Sequence, residues 1–414
     1  MKRLGSGEVL LHIGPHKTGS TTLQLGFHRN RERLREQGVH YAGPSSQPMT
    51  AAMVAATGTL LPTQAPEMAG TWDELVDEVH AVDADRTVIS SEFFCEADAT
   101  RTTQLLDRLG DRTQVVITLR PLARILASQW QQFVQNRLAT GYPDWLEAVL
   151  GDVGTAETPS FWKRHRHDEL VRRWAACAGP GRVTVVVLDE GDPEALLRTF
   201  EELVTVEAGT LDPGDVSANR SLRHAEVELL RRFNEQWRSH GWSEADYTRL
   251  VRFGAVRHLQ ARRPGEDEAR ILTPQWAVSR AQEVSARAVT AVSETGVEVI
   301  GDLQSLTEGL PAAAVGTNDP ADTVPLEVAA RFAAGLALRV AQLSTRPLPP
   351  GRQPGPLEAH VRQLRAQLTD PPPPRPATGD RVDQVSGAVL LRAVARGAAD
   401  QVRRGRPGGS RDAR

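Results

Sequence analysis

Residues 9–24 read Val-Leu-Leu-His-Ile-Gly-Pro-His-Lys-Thr-Gly-Ser-Thr-Thr-Leu-Gln, and this stretch decides the fold. A short apolar run, Val9–Ile13, ends in a Gly-Pro turn, and a helical pattern begins soon after Lys17 and Gly19. The pattern predicts a strand, a loop and a helix N-terminus, where backbone N–H groups and the helix dipole favour an anion. The loop therefore fits a phosphate or sulfate group, with further donors from three successive hydroxyl residues, Ser20, Thr21 and Thr22.

Lysine is rare in this chain. Only Lys2, Lys17 and Lys163 occur, whereas Lys and Arg together number 49. A lysine inside a glycine-rich loop therefore indicates a need for a compact ammonium rather than a planar guanidinium. The alternative is a surface lysine on an ordinary strand-to-helix turn, because short motifs also occur by chance.

Composition bounds the class of protein. The chain has 414 residues, 40% hydrophobic and 24% charged, with a net charge of −3, so we expect globular structure and no general attraction to nucleic acid. Its two cysteines do not form a disulfide framework, and no zinc-ligand spacing occurs. No apolar run approaches the length of a transmembrane helix, and Val9–Ile13 is too short for a signal peptide. We therefore expect a cytoplasmic protein; its oligomeric state stays open.

Strand-like and helical patterns alternate along the chain. Helical periodicity follows the first strand, at Thr21–Gln37, and separates the later ones. This rhythm predicts an α/β fold, P-loop-like, with three layers in which helices flank a central parallel sheet, plus a helical C-terminal extension. The strands are β-branched and almost continuously apolar, as expected for strands buried on both faces: Val9–Ile13, Thr87–Ser90, Gln114–Leu119 and Arg182–Leu188.

Three regions are expected. Residues 1–235 form the nucleotide-binding α/β core, and residues 236–343 form a mainly helical remainder of the catalytic domain or an extension. Residues 344–414 are rich in proline and arginine, so we expect a largely disordered tail. From Arg346 onward the tail carries 13 arginines against 6 acidic residues, a charge that could attract nucleic acid or a membrane. Its prolines and interspersed acidic residues instead favour a solubilising tail or one that contacts an unknown partner, without specific binding of nucleic acid.

A second motif lies at the end of the third predicted strand. Pro121 suits the first turn of a helix, so the helix begins directly after Arg120 and places Ser128 about two turns along it. Ligands of open α/β sheets bind at the carboxyl ends of strands, so Arg120 and Ser128 can hold a second phosphate beside the first loop. The alternative is a structural arginine and a solvated serine.

The two motifs together resemble those of sulfotransferases that use 3′-phosphoadenylyl sulfate (PAPS), particularly the bacterial sulfotransferase-like branch. The resemblance covers roughly residues 8–235. It implies that the first loop binds the 5′-phosphosulfate through Lys17 and its neighbours, and that Arg120 and Ser128 bind the 3′-phosphate. Arg220 is the candidate for a third 3′-phosphate contact. The neighbours of Lys17 in this motif are Thr18, Gly19, Ser20, Thr21 and Thr22.

The resemblance also implies a reaction: sulfuryl transfer from PAPS to a hydroxyl of a small molecule or glycan, with no metal required. Lys17 would neutralise the leaving phosphate oxygen. Glu92, after the second predicted strand, is the first candidate for the general base and His16 the second. Glu92 could instead be paired with Arg120, and His16 could simply shape the turn.

Two further groups are ambiguous. Aromatic residues in or after the Arg120 helix could line an acceptor cleft but more often form core; they are Trp130, Phe133, Trp145 and Trp162. The basic run Phe161–Asp168 could attract an anionic acceptor, although a solvated helix end is favoured.

Two other classes of protein remain open. An ATP-dependent P-loop kinase places its lysine after the second glycine, whereas Lys17 precedes Gly19, and Asp189-Glu190 is the one contender for binding magnesium. A non-catalytic nucleotide-binding or scaffold protein could keep the same fold. The acceptor itself is not specified, although a carbohydrate or other hydroxylated metabolite is favoured.

Overall fold

A computed structural model describes residues 2–60, 64–151, 158–214, 220–321 and 323–345, together with residue 359. The tail beyond residue 345 lies outside these ranges except for that one position, so its expected disorder stays a prediction. Two compact units emerge. The first comprises the chain up to Arg231 and residues 264–321, and the second comprises residues 232–263 and the chain from Thr323.

Six strands form one parallel sheet in the first unit. They are β1 (Glu8–His12), β2 (Val39–Tyr41), β3 (Arg86–Ser90), β4 (Thr113–Leu119), β5 (Val183–Val187) and β6 (Glu298–Ile300). Their order is β2-β3-β1-β4-β5-β6, and every pairing is parallel. From β1 the chain first builds one side of the sheet and then, from β4 onward, the other. The crevice between β1 and β4 is therefore the switch point where open α/β sheets bind ligands.

Helices of the first unit cover both faces of this sheet, and further helices belong to the second unit. In chain order they are α1 (Ser20–Arg29), α2 (Arg31–Glu36), α3 (Met49–Thr57), α4 (Thr71–Ala81), α5 (Ala99–Leu109), α6 (Leu122–Gln135), α7 (Tyr142–Leu150), α8 (Ser160–His165), α9 (His167–Ala178), α10 (Ala195–Val204), α11 (His224–Ser239), α12 (Glu244–Asp246), α13 (Arg257–Gln260), α14 (Gln275–Ser293) and α15 (Leu326–Thr345). A π-helix, Tyr247–Val256, precedes α13. Five short 3₁₀ segments complete the list: Pro66–Gly70, Glu92–Glu96, Pro180–Arg182, Leu303–Thr307 and Ala312–Ala314.

Alternate residues of each strand feed two different cores. Leu11 and Val115 pack on one face with Trp174 of α9, whereas Leu10 and Val116 pack on the other with α1 and α10. Successive side chains of a strand point to opposite faces, so a strand buried on both sides is mostly apolar, and its buried polar side chains need hydrogen-bond partners. The predicted three-layer α/β class is confirmed.

Three details differ from the sequence-based expectations. The predicted helix Thr21–Gln37 is two helices, because the amide of Asn30 donates to the carbonyls of Gly26 and Asp212 and ends α1. Strands β2 and β6 were not predicted, since each has only three residues. Strand ends elsewhere differ by about one residue, within the usual ambiguity of element boundaries.

The second unit is helical, and α15 supplies the expected C-terminal helix. Its Gly335 lies against the π-helix: a Cβ atom there would be 2.7 Å from Cα of Ala255 and 2.8 Å from Cβ of His258. Only glycine permits this backbone approach, so the two helices pack closely at this point.

Candidate functional site

The loop after β1 has an unusual backbone. Gly14, Lys17 and Gly19 all have positive φ values, 79°, 69° and 83°, and the Gly14–Pro15 peptide is cis. Glycine adopts such φ values at no steric cost, but lysine does not. Holding Lys17 in the left-handed region therefore needs support from the surrounding structure, and such strain concentrates at functional sites.

Buried hydroxyls and an imidazole hold this loop on the sheet. Oγ1 of Thr18 donates to the carbonyl of Pro15 at 2.6 Å and lies 2.7 Å from Oγ1 of Thr118 on β4. Nε2 of His12 is 3.1 Å from the same Thr118 oxygen, and its Nδ1 is 2.7 Å from Oγ of Ser90. The Thr18 side chain thus braces the loop internally, which leaves its backbone amide as the group available to an anion.

Helix α1 begins immediately after the loop and presents open donors. Its N-cap is Gly19, which has no side chain to satisfy the first-turn amides. Oγ of Ser20 is buried and has no hydrogen-bond partner within the part of the chain that the structure describes. Thr21 is exposed and Thr22 half-buried. A helix N-terminus with unsatisfied amides and a buried hydroxyl fits an anion such as phosphate.

Arg120 lies beside this loop, because β4 is the neighbour of β1 in the sheet. Its Nη1 approaches the carbonyl of Lys17 at 3.5 Å. The guanidinium also holds Glu190 by two contacts, Nε to Oε1 at 2.5 Å and Nη2 to Oε2 at 2.8 Å, and Nε of Arg124 lies 4.0 Å from Oε2. Burial alone would raise the pKa of Glu190, but the hydrogen bond and charge of Arg120 outweigh it and lower that pKa. Glu190 is therefore ionised and paired with Arg120.

Ser128 is on α6, and its hydroxyl donates to the carbonyl of Ile125 at 2.9 Å. A serine hydroxyl has one O–H group and can rotate, so it can donate to another acceptor in place of Ile125. Asp189, which together with Glu190 was the candidate for binding magnesium, accepts a hydrogen bond from the backbone amide of Gly191 at 2.8 Å. Among the described residues, no group of three His, Cys, Asp or Glu side chains is arranged to hold a metal ion.

Glu92 packs directly on the loop. A Cβ atom on Gly14 would lie 2.7 Å from Cβ of Glu92, so this glycine permits the approach. Oε2 of Glu92 accepts a hydrogen bond from the side-chain amide of Gln24 at 2.9 Å. The alternative of an ion pair between Glu92 and Arg120 is wrong, since Arg120 holds Glu190 instead.

His16 is buried with 3% of its surface exposed, and its ring meets Phe93 edge-on. Burial, followed by the charge of Arg164, lowers its pKa, so the ring is neutral near pH 7. Its Nε2 is 3.7 Å from Oε1 of Glu96, a distance too long for a hydrogen bond. Burial opposes ionisation of Glu96, but His16 and Arg164 outweigh it and lower the pKa of Glu96 to about 2. A neutral imidazole beside Lys17 can accept a proton.

Two histidines near this site were not recognised in the sequence. A solvated helix end was favoured for residues 161–168, but this is wrong for His165 and His167, which are 1% and 3% exposed. Burial is the main cause that lowers the pKa of His165 well below its usual value, and the charges of Arg164 and Lys17 add to it. Phe161 is fully buried beside them. In the sequence, the spacing His165-x-His167 close to the aromatic Phe161 was the feature that could have indicated these buried histidines.

The remaining candidates lie elsewhere. Nη1 and Nη2 of Arg220 donate to the buried carboxylate of Glu226 at 2.8 and 2.7 Å. This ion pair is a sufficient structural reason for an arginine at position 220. Trp130 and Trp145 are fully buried, and Phe133 packs on Trp145, so the core interpretation is confirmed for the two tryptophans. None of the described helices is long and apolar enough to cross a lipid bilayer.

Comparison with known proteins gives little further information. No model of a protein family matches the chain, and no curated protein sequence matches it. A solved structure described as a sulfotransferase from Alicyclobacillus acidocaldarius aligns over 59% of this chain and 95% of its own. The alignment has 13% sequence identity and a TM-score of 0.35, a similarity that by itself defines neither family nor activity.

Proposed function

We propose that this protein is a sulfotransferase that moves the sulfuryl group of PAPS to a hydroxyl of a carbohydrate or other hydroxylated metabolite. The proposal depends above all on one observation. The loop after β1 and Arg120 after β4 meet at the switch point of the sheet, where Nη1 of Arg120 is 3.5 Å from the carbonyl of Lys17. Two anion-binding elements side by side suit a donor that carries two separate phosphate groups.

The residues of the first loop fit the phosphosulfate end of this donor. The first-turn amides of α1, the buried hydroxyl of Ser20 and the ammonium of Lys17 are the groups that would hold it. Thr21 and Thr22 would add hydroxyl donors from the same turn. Arg120 and Ser128 would hold the 3′-phosphate, provided that Glu190 yields its place on the guanidinium. Arg220 is less well supported, because it already has Glu226.

Bound PAPS supplies a sulfuryl group whose bond to the phosphate oxygen breaks as the acceptor oxygen bonds to sulfur. Lys17 would neutralise the negative charge that grows on that phosphate oxygen. Glu92 or His16 would take the proton of the acceptor hydroxyl. Glu92 is supported by its approach to Gly14, and His16 by its lowered pKa and its position next to Lys17.

The proposal is tested by comparing how adenosine 3′,5′-bisphosphate, ADP and Mg-ATP raise the melting temperature of the full chain. A ligand at 100 times its dissociation constant stabilises a fold by about 2.7 kcal/mol, which such a measurement detects. We expect selective stabilisation by the bisphosphate, lost in Arg120→Ala and kept in the control Arg172→Ala, whose arginine is exposed on α9. Incubation of PAPS with hydroxylated acceptors should then release the bisphosphate, and Lys17→Ala should abolish this release.

Other outcomes would favour the rival functions. Stabilisation by Mg-ATP and not by the bisphosphate would indicate a kinase. Binding of the bisphosphate without turnover on any acceptor would indicate a nucleotide-binding or scaffold protein. A lack of response to all three nucleotides would refute the proposed role of Lys17.

A further inference from the structure

Besides Ser20 and His167, three buried side chains near the loop have polar atoms without a hydrogen-bond partner among the described residues. Gln129 of α6, His165 at the end of α8, and His16 are 0%, 1% and 3% exposed. Nε2 of Gln129, Nδ1 of His165 and Nε2 of His16 have no hydrogen-bond partner anywhere in the described chain. We call these three residues the polar cluster. Buried polar groups are nearly always hydrogen-bonded, so each of these atoms calls for an explanation.

The polar cluster is continuous with the loop that holds Lys17. Arg164, which precedes His165, donates through Nε and Nη2 to Oε1 of Glu96, at 2.9 and 2.7 Å. The same carboxylate oxygen is 3.7 Å from Nε2 of His16. Beyond its burial, the ring of His165 is affected by the charges of Arg164 and Lys17. On the other side, Gln129 directly follows Ser128 in α6.

The polar cluster offers both a donor and an acceptor. Nε2 of His165 is 3.4 Å from Oε1 of Gln129, so the neutral ring donates from Nε2 to the amide oxygen. In that tautomer Nδ1 of His165 carries a lone pair and accepts. Nε2 of Gln129 still has N–H groups to donate. Hydroxyl groups both donate and accept, so a molecule with several hydroxyls satisfies such atoms, whereas an apolar surface leaves them unpaired.

We propose that Gln129 and His165 form the acceptor subsite and select a polyhydroxylated acceptor, such as a sugar or cyclitol, over a phenol. This inference rests on the proposed function and adds the class of acceptor to it. Gln129 and His165 bind those hydroxyls of the acceptor that do not receive the sulfuryl group, while His16 faces the hydroxyl that does. A site built to hydrogen-bond hydroxyls rejects analogues that lack them, often by several orders of magnitude.

The test uses Gln129→Met, which keeps the side-chain volume but removes the amide, and Gln135→Met as a matched control on the same helix. PAPS turnover is measured as release of adenosine 3′,5′-bisphosphate with glucosamine, trehalose and myo-inositol, and with 4-nitrophenol and tyramine. We expect turnover with at least one polyol, and a KM for it that is at least about tenfold higher in Gln129→Met and unchanged in Gln135→Met. Affinity for the bisphosphate should be the same in all three proteins.

A second measurement does not depend on the acceptor. In the double variant Gln129→Met/His165→Phe, both partners of the buried contact become apolar. Such replacements are close to neutral for stability when the polar atoms were unsatisfied. We therefore expect a melting temperature equal to or above that of the original chain, together with loss of polyol turnover.

Two results would overturn the inference while leaving the proposed function intact: turnover with phenols only, or an unchanged KM in Gln129→Met. Binding of the bisphosphate without turnover of either class would overturn the proposed transfer reaction along with the subsite. A marked fall in the melting temperature of the double variant would also overturn it, since the polar cluster would then be needed for folding. Failure of the bisphosphate to bind any of these proteins is a different result, because it refutes the proposed function together with the subsite.

Discussion

Arg120 and Glu190 form a two-contact ion pair at the switch point of the sheet, with Nε to Oε1 at 2.5 Å and Nη2 to Oε2 at 2.8 Å. Carboxylate and phosphate offer an arginine similar bidentate geometry. Glu190 thus occupies the guanidinium surface that a 3′-phosphate would need. The carboxylate keeps Arg120 oriented beside the loop and also competes with any anion that binds there.

Replacing Glu190 should therefore strengthen anion binding. In Glu190→Gln the competing charge is gone, and we expect the dissociation constant of adenosine 3′,5′-bisphosphate to fall several-fold, up to about tenfold, which corresponds to about 1.4 kcal/mol. The measurement is calorimetric titration at low salt, where such charges are least screened. Glu194→Gln is the control, because Glu194 is exposed in the same segment and pairs with Arg198. Weaker binding in Glu190→Gln would show that the carboxylate positions Arg120 rather than competing with phosphate.

The backbone at Lys17 gives a prediction that separates stability from activity. At φ 69° a residue with a Cβ atom is strained relative to glycine by about 1 kcal/mol. We expect Lys17→Gly to be more stable than Lys17→Ala by about that amount, although both lose transferase activity. Within α1, Thr22→Ala should instead be more stable than Thr22→Gly. Urea unfolding of the four variants measures these differences. If alanine is more stable than glycine at position 17, as it should be at position 22, the backbone at Lys17 is not strained.

Gly14 should tolerate no side chain. In Gly14→Ala the new Cβ would be 2.7 Å from Cβ of Glu92 and 2.8 Å from its Cα, so the variant should move Glu92 and lose most activity. Gly296→Ala is a matched control, because Gly296 has a similar φ of 71° but no atom within 4 Å of an added Cβ. Both variants carry the cost of a positive φ, about 1 kcal/mol. If the two lose equal stability and activity, the contact with Glu92 is unimportant.

Buried histidines should make the protein sensitive to acid. Burial is the main cause that lowers the pKa of His12 and of His167 from 6.5 to about 4. Between these values the unfolded chain binds more protons than the folded one, so the free energy of unfolding rises with pH. Stability is therefore lost as pH falls from about 6.5 towards 4, by at most about 3 kcal/mol for each such histidine.

The contribution of one histidine can be isolated. Urea unfolding of His12→Gln, measured across this pH window, should show a pH slope smaller by about one proton than that of the original chain. His80→Gln serves as the control, since His80 is exposed on α4 and contacts the carbonyl of Arg108. An unchanged slope in His12→Gln would mean that His12 does not remain neutral in the folded protein.

The longer strands could be read from the sequence. β1, β3, β4 and β5 each contain a run of apolar, mostly β-branched or leucine residues, because burial on both faces favours such residues in them. β2 and β6 are three-residue edge strands, and such short segments carry no usable periodicity. The division of Thr21–Gln37 into two helices depended on a side-chain contact from Asn30 to Asp212, which lies far along the chain.

By itself, the sequence determined the strand, loop and helix around Lys17 and the α/β class, because glycines in a turn, hydroxyl residues at a helix start and strand periodicity are local properties of the chain. Only the tertiary structure decided which charges meet. Glu190 reaches Arg120 across 70 residues, and His165 reaches Gln129 across 36. Such pairs follow from the order of strands in the sheet and from burial, and neither is encoded in the spacing of the residues involved.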